Sequence, residues 1–181
     1  MDKFASKKRS FKRVVRRSIS DLRRYDRKRS KKSLSNGKVL LCFPDEEISF
    51  RVSKSLFFPL IKKHGNQVTS IIPQMFIPLL GESYLDNVFP LKDSDITTSY
   101  LPSEEYIKQI LTGKYTLAAD LNIDFNLITA FLVRISGSSQ RIGFHSEYSN
   151  RFFNIEIRKR DEDLREEAYL YIKNLLTRAL N

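Results

Sequence analysis

Three acids in a row, Asp45-Glu46-Glu47, follow the first apolar stretch of this chain, residues 39–43, after a single proline. A carboxylate at the end of a buried strand can take the proton from a substrate hydroxyl, which makes Asp45 the candidate general base. The same three acids would equally complement the dipole of a helix starting there. No glycine-rich phosphate loop stands at that point, and carboxylates there repel a nucleotide phosphate, so a dinucleotide or P-loop role is disfavoured. His64 and His145 have no spacing that makes a metal site. His64 reads as the end of a helix, and His145, just after an apolar run, as a surface histidine or a cleft residue. No Gly-x-Ser-x-Gly elbow occurs. Cys42 is the single cysteine and lies inside the apolar run, as a small core residue in a reducing compartment would. Neither a metal nor a cofactor is expected.

These residues must be positioned by alternating strands and helices. Residues 39–43, 68–72, 88–89, 116–121 and 141–144 are short apolar or β-branched runs that read as five strands. Ile48, Val52, Leu56, Phe57, Leu60 and Ile61 share one helical face, closed by His64-Gly65-Asn66. Residues 73–80 read as a short helix and 93–101 as a loop. Ser103 caps a helix, residues 125–135 form a buried one, and Asp161 starts the last, with Leu164, Ala168, Tyr171, Ile172, Leu175, Leu176 and Leu180 in register. The expectation is an α/β fold: one Rossmann-like domain over 37–181, with a mostly parallel sheet flanked by helices. Ligands of such sheets bind at the carboxyl ends of the strands, which points to the loops at 44–49, 73–75, 122–124 and 145–150.

Residues 1–36 are a different physical object. The first 32 residues hold 15 Lys and Arg against three acids, while the rest of the chain holds 17 bases and 18 acids, so the segment carries the whole excess behind the net charge of +11. Phe11, Val14, Val15, Ile19 and Leu22, with Tyr25 following, make one apolar stripe of an amphipathic helix. Lys12, Arg13, Arg16, Arg17, Arg23 and Arg24 flank it, and Arg27, Lys28, Arg29, Lys31 and Lys32 follow as a charge run. Such a helix can lie on an anionic membrane with its stripe in the headgroup layer. The same bases can neutralise nucleic-acid phosphates. The helix can also pack on the body or on a partner. The stripe favours membrane or packing, because phosphate binding does not require it. The body is long enough for one domain with a sizeable core, and no apolar run reaches the length of a membrane span. The N-terminus lacks the apolar region of a secretory signal.

The body is similar to a known family. The stretch Lys114-Tyr-Thr-Leu-Ala-Ala-Asp-Leu-Asn, then Ala130-Phe-Leu-Val-Arg-Ile-Ser-Gly-Ser-Ser-Gln-Arg-Ile-Gly-Phe144, resembles glycosyltransferase family 9, the lipopolysaccharide heptosyltransferases. Leu79-Leu80-Gly81 with Tyr84-Leu85-Asp86-Asn87-Val88 resembles a further segment of that family. The resemblance covers about residues 38–144. It implies the acceptor-side half of a two-domain GT-B fold, at the cytoplasmic face of a bacterial inner membrane. It also implies that Asp120 and Asn122 bond sugar hydroxyls and that Arg141 holds an anionic group. The alternative roles are a strand-end cap for Asp120 and a surface ion pair for Arg141. The family's Gly-Asp pair after the first strand falls on Ile48-Ser49 here, with Asp45 displaced from it, and the donor-binding domain is missing.

The resulting expectation is a peripheral membrane protein of envelope glycan assembly, non-catalytic or half of a split enzyme, with a donor-type domain on a partner chain. One alternative is a basic-tailed module that binds RNA or a large assembly. A third is an active glycosyltransferase that needs its partner.

Overall fold

The computed structural model describes residues 11–22, 37–81, 87–160 and 164–181. Arg23, Arg24, Arg27, Lys28, Arg29, Lys31 and Lys32, the proposed start of the last helix at Asp161, and the Tyr84-Leu85-Asp86 segment lie outside the described residues.

A helix over 11–22 (α1) precedes the first strand, β1 (Lys38–Cys42). There follow α2 (Glu47–His64), β2 (Val68–Pro73), β3 (Val88–Leu91), α3 (Glu104–Ile110), β4 (Tyr115–Asp120), α4 (Leu127–Ile135), β5 (Gln140–Phe144), β6 (Ile155–Ile157) and α5 (Arg165–Leu180). All six strands are parallel, in the order β3-β2-β1-β4-β5-β6. This is a single Rossmann-like α/β domain.

Side chains alternate across the sheet because successive Cβ atoms of a strand point to opposite faces. Val39, Leu41 and Phe43 face one core, shared with Phe50, Phe57 and Ile61 of α2 and with Tyr169, Ile172 and Leu176 of α5. Leu40 and Cys42 face the other, shared with Ile107 and Ile110 of α3 and with Ala130 and Leu132 of α4. Val15 and Leu22 of α1 belong to this second core and are almost wholly buried. Phe11 joins them edge-on to Phe125 and Tyr148, with ring centroids 6.5 and 5.9 Å apart. Lys12 pairs with Glu147 at 3.0 Å. The apolar stripe of α1 is thus covered by the body at Val15 and Leu22, partly covered at Val14 and Ile19, and open at Phe11.

Several local expectations differ from what the fold adopts. Ile48 is exposed at the first turn of α2, and Ser49, Phe50 and Ser53 take the buried positions there. On α5, Tyr169 is buried while Leu164 and Tyr171 are exposed. The buried set 168, 169, 172, 176 and 180 winds along one stripe, and Tyr171 lies off it. Tyr169 has a further reason to be inside, since its hydroxyl donates to the Leu121 carbonyl at 2.8 Å. Residues 74–80 are a 3-10 helix, and α4 starts at Leu127, which leaves Phe125 and Asn126 in the loop before it. β6 is a sixth strand that the sequence reading does not contain. Its three residues are all only partly buried, so no apolar run marks it.

Candidate functional site

The strand order reverses direction between β1 and β4, and the loops leaving those two strands diverge to opposite faces of the sheet. A crevice forms between such loops because the helices that follow cannot both cover the gap. Here it is a cleft of about 570 Å³. Asp45 comes from the β1–α2 loop, Asp124, Phe125 and Asn126 from the β4–α4 loop, Tyr100 from the β3–α3 loop, and Phe11 and Val14 from α1.

A hydrogen-bonded clasp holds the two central loops together. The Asp45 backbone N–H donates to Asn122 Oδ1 at 3.0 Å, and Asn126 Nδ2 donates to Asp45 Oδ2 at 2.8 Å. Asn126 also caps α4, its Oδ1 accepting from the Ile128 and Thr129 N–H groups at 3.0 and 3.3 Å. The carboxylate of Asp45 therefore has a fixed neighbour yet stays exposed at the mouth.

Below the clasp lies a buried brace. Asp120 Oδ1 accepts from the Asn122 N–H at 3.0 Å and from Asn122 Nδ2 at 2.7 Å, and its Oδ2 accepts from the Thr129 hydroxyl at 2.8 Å. Burial pushes the Asp120 carboxyl up to about 7, against the pull of these donors. Asp120 and Asn122 are both buried. Their polar atoms are engaged with one another, with Thr129 and with the Asp45 backbone, so they hold the two loops rather than line the cleft.

Arg141 lies elsewhere. It occupies the second position of β5, level with Ala118 in the middle of β4, short of the carboxyl ends of the strands. Its Nε donates to the Phe152 carbonyl and one terminal nitrogen to the Ser138 carbonyl, each at 3.0 Å. The rest of the Arg141-Ile142-Gly143-Phe144 motif is packing. Ile142 and Phe144 are core residues, and Gly143 lets the Phe153 ring pass where a Cβ would stand 2.3 Å from it.

The remaining acids of the first loop divide their roles. Glu46 is the N-cap of α2, accepting from the Ile48 and Ser49 N–H groups at 3.0 and 2.9 Å. The Ser49 hydroxyl, then those N–H groups and Arg165, hold its carboxyl down to about 2. Glu47 pairs with Arg51 one turn on. Ile48 and Ser49 sit in this first turn, where Ser49 serves Glu46 and Arg165. His145 Nδ1 lies 2.6 Å from Glu156 Oε2, and His64 is half-buried at the end of α2. Cys42 is wholly buried in the second core, and burial pushes its thiol well up, with Asp120 adding to it.

Tyr100 is the feature that sequence reasoning missed. It is the one non-glycine residue with positive φ, 56°, among the described residues. It projects from a tight loop closed by Thr97, whose N–H donates to the Leu101 carbonyl at 2.8 Å and whose carbonyl accepts from the Tyr100 N–H at 2.9 Å. Its ring is 65% exposed. A bulky residue in that conformation costs energy that only the closed loop sustains. Nothing in the local sequence signals this. Asp124 was legible as part of a strand-end loop, whereas Asn126 was read inside the helix over 125–135 and Phe11 reaches the cleft only through long-range packing.

The exposed positions of α1 include three arginines, beside Ser20 and a partly exposed acid, Asp21. Arg13, Arg16 and Arg17 are exposed, and no ion pair among the described residues engages them. No helix among the described residues is long and apolar enough to cross a membrane, and no group of three His, Cys, Asp or Glu side chains there is placed to hold a metal ion. No family model, curated protein or solved structure matches the chain.

Proposed function

We propose that this chain is a single glycosyltransferase-like domain that binds a saccharide in its switch-point cleft, as an acceptor-side half would, without transferring sugar on its own. One juxtaposition carries the reading. An exposed aromatic ring, Tyr100, shares the cleft with two carboxylates and a carboxamide, those of Asp45, Asp124 and Asn126. A sugar ring offers apolar C–H faces and a rim of hydroxyls. An aromatic surface accepts the faces, and planar carboxylate and amide groups accept and donate to neighbouring hydroxyls. A mostly apolar cleft with a few fixed polar groups is the general form of a small-ligand site. The two carboxylates repel a phosphate, which favours a neutral saccharide over a nucleotide sugar.

Transfer then needs a donor held by a second chain, with Asp45 as the carboxylate placed to take the acceptor hydroxyl's proton. Envelope glycan assembly at the inner membrane is the setting that the family resemblance suggests.

The test is binding of neutral saccharides to the full chain by calorimetry or ligand-observed NMR. The double variant Asp45→Asn, Asp124→Asn should weaken binding by about 2–3 kcal/mol, as lost charged hydrogen bonds do. Unchanged affinity in that variant, or preference for a nucleotide sugar over its free sugar, would refute the reading.

A further inference from the structure

We infer that the outward face of α1 binds the phosphate backbone of a nucleic acid. The inference stands apart from the saccharide reading, because it concerns the side of the helix turned away from the cleft.

A basic amphipathic helix that adsorbs to a membrane uses two faces together, an apolar one in the headgroup layer and a basic one around it. In this protein the first is occupied. Val15, Ser18 and Leu22 are buried against the body, and Phe11 lies against Phe125 and Tyr148. Moving that stripe into a headgroup layer would expose the part of the second core it covers, so the apolar transfer brings no net gain. What faces outward is mainly Arg13, Arg16 and Arg17, with Ser20 beside them and Phe11 partly open at the start of the helix. Arg13, Arg16 and Arg17 stand three and four positions apart, which places neighbouring side chains about 5–6 Å from one another along one face.

All three are arginines, whose flat fork of N–H donors meets a phosphate with two parallel hydrogen bonds. The sequence continues the pattern on both sides, with Lys7, Lys8 and Arg9 before and Arg23, Arg24 and Arg27 after. The excess charge of the chain is confined to this segment, and the rest carries 17 bases and 18 acids. A neutral body bearing one dense cationic strip complements a linear polyanion. Such binding releases counterions and tracks the backbone with little preference for base sequence.

The probe is a mixed-sequence single-stranded RNA of about 20 nucleotides, titrated with the full chain between about 50 and 200 mM salt. The comparison arm is vesicles of phosphatidylglycerol and phosphatidylcholine. The variant is Arg13→Ser, Arg16→Ser, Arg17→Ser, all three exposed, with its fold checked by circular dichroism and urea unfolding. Wild type should bind the RNA, and the variant should bind it at least about tenfold more weakly. The slope of log affinity against log salt should become shallower by about 2, since each phosphate contact with a single strand contributes about 0.7. An unchanged slope and affinity in the variant would overturn the assignment to this face. Vesicle binding without RNA binding would overturn the choice of nucleic acid. Loss of RNA binding with circular dichroism and urea unfolding unchanged supports the inference whatever becomes of the cleft reading.

Discussion

Asp120 ends β4 with both carboxyl oxygens hydrogen-bonded and almost no exposure, and this changes what its chemistry means. Its residue type and strand-end position were legible in the sequence. That its polar atoms turn inward was not, because the partners are set by how the β4–α4 loop folds back on the strand. Asn122 was legible in the same way, and it too turns inward. Arg141 was read as an anion holder because of the motif around it, yet its guanidinium serves two loop carbonyls near the amino ends of the strands. Burial raises the Asp120 carboxyl from 3.8 to about 7, so the folded chain holds a proton that the unfolded chain releases. Stability should therefore fall as pH rises from about 4 to about 7 and level off above, by an amount on the order of 4 kcal/mol. Asp120→Asn keeps an acceptor toward Asn122, offers an N–H to Thr129, and should flatten that slope in urea unfolding measured across the window. Glu46 acts oppositely and lower down, because its carboxyl is held near 2. The stability it contributes is present above about 4.5 and is lost as pH falls toward 2.

At the scale of elements, periodicity located the long helices and the apolar runs located five of the strands. It could not fix which of several apolar residues turns inward. On α2 the sequence favours Ile48 over Ser49 and Ser53, but serines are small enough to lie against the sheet and its neighbours, and Ser49 is held by Glu46 and Arg165. On α5, Tyr169 and Tyr171 are equivalent in composition, and the stripe that packs on the sheet, together with the hydroxyl's route to Leu121, separates them. β6 is short, partly buried and at the sheet edge, so its strand character comes from pairing with β5 rather than from its own residues. β5 shows why a motif can be legible while its meaning is not. Gly143 lies where the Phe153 ring crosses the strand. Gly143→Ala should destabilise the protein by about 1–3 kcal/mol through overpacking, with saccharide binding per folded molecule unchanged, as unfolding curves and calorimetry together would show.

For the whole molecule, alternation of strand and helix gave the class, and parallel pairing of all six strands follows from connections that each return to the same edge. The order of the strands was not legible, because local patterning does not say which neighbour a strand chooses. The cleft position followed from the general rule for such sheets once the order was known. The basic segment and the body were read as separate objects on charge, and the charge division stands, but residues 11–22 share the body's second core. Leu22→Ala should accordingly cost about 2–3 kcal/mol in urea unfolding, whereas a detached arm would leave stability unchanged. The same joint has a consequence for how the protein is made. α1 leaves the ribosome before any strand exists, and Phe125, Glu147 and Tyr148, which seat it, are translated over a hundred residues later. At about 5–20 residues per second, the helix spends several seconds without its seat on the growing chain. Throughout that interval its apolar stripe is open to chaperones, and the second core closes only once the chain has been made through Phe153.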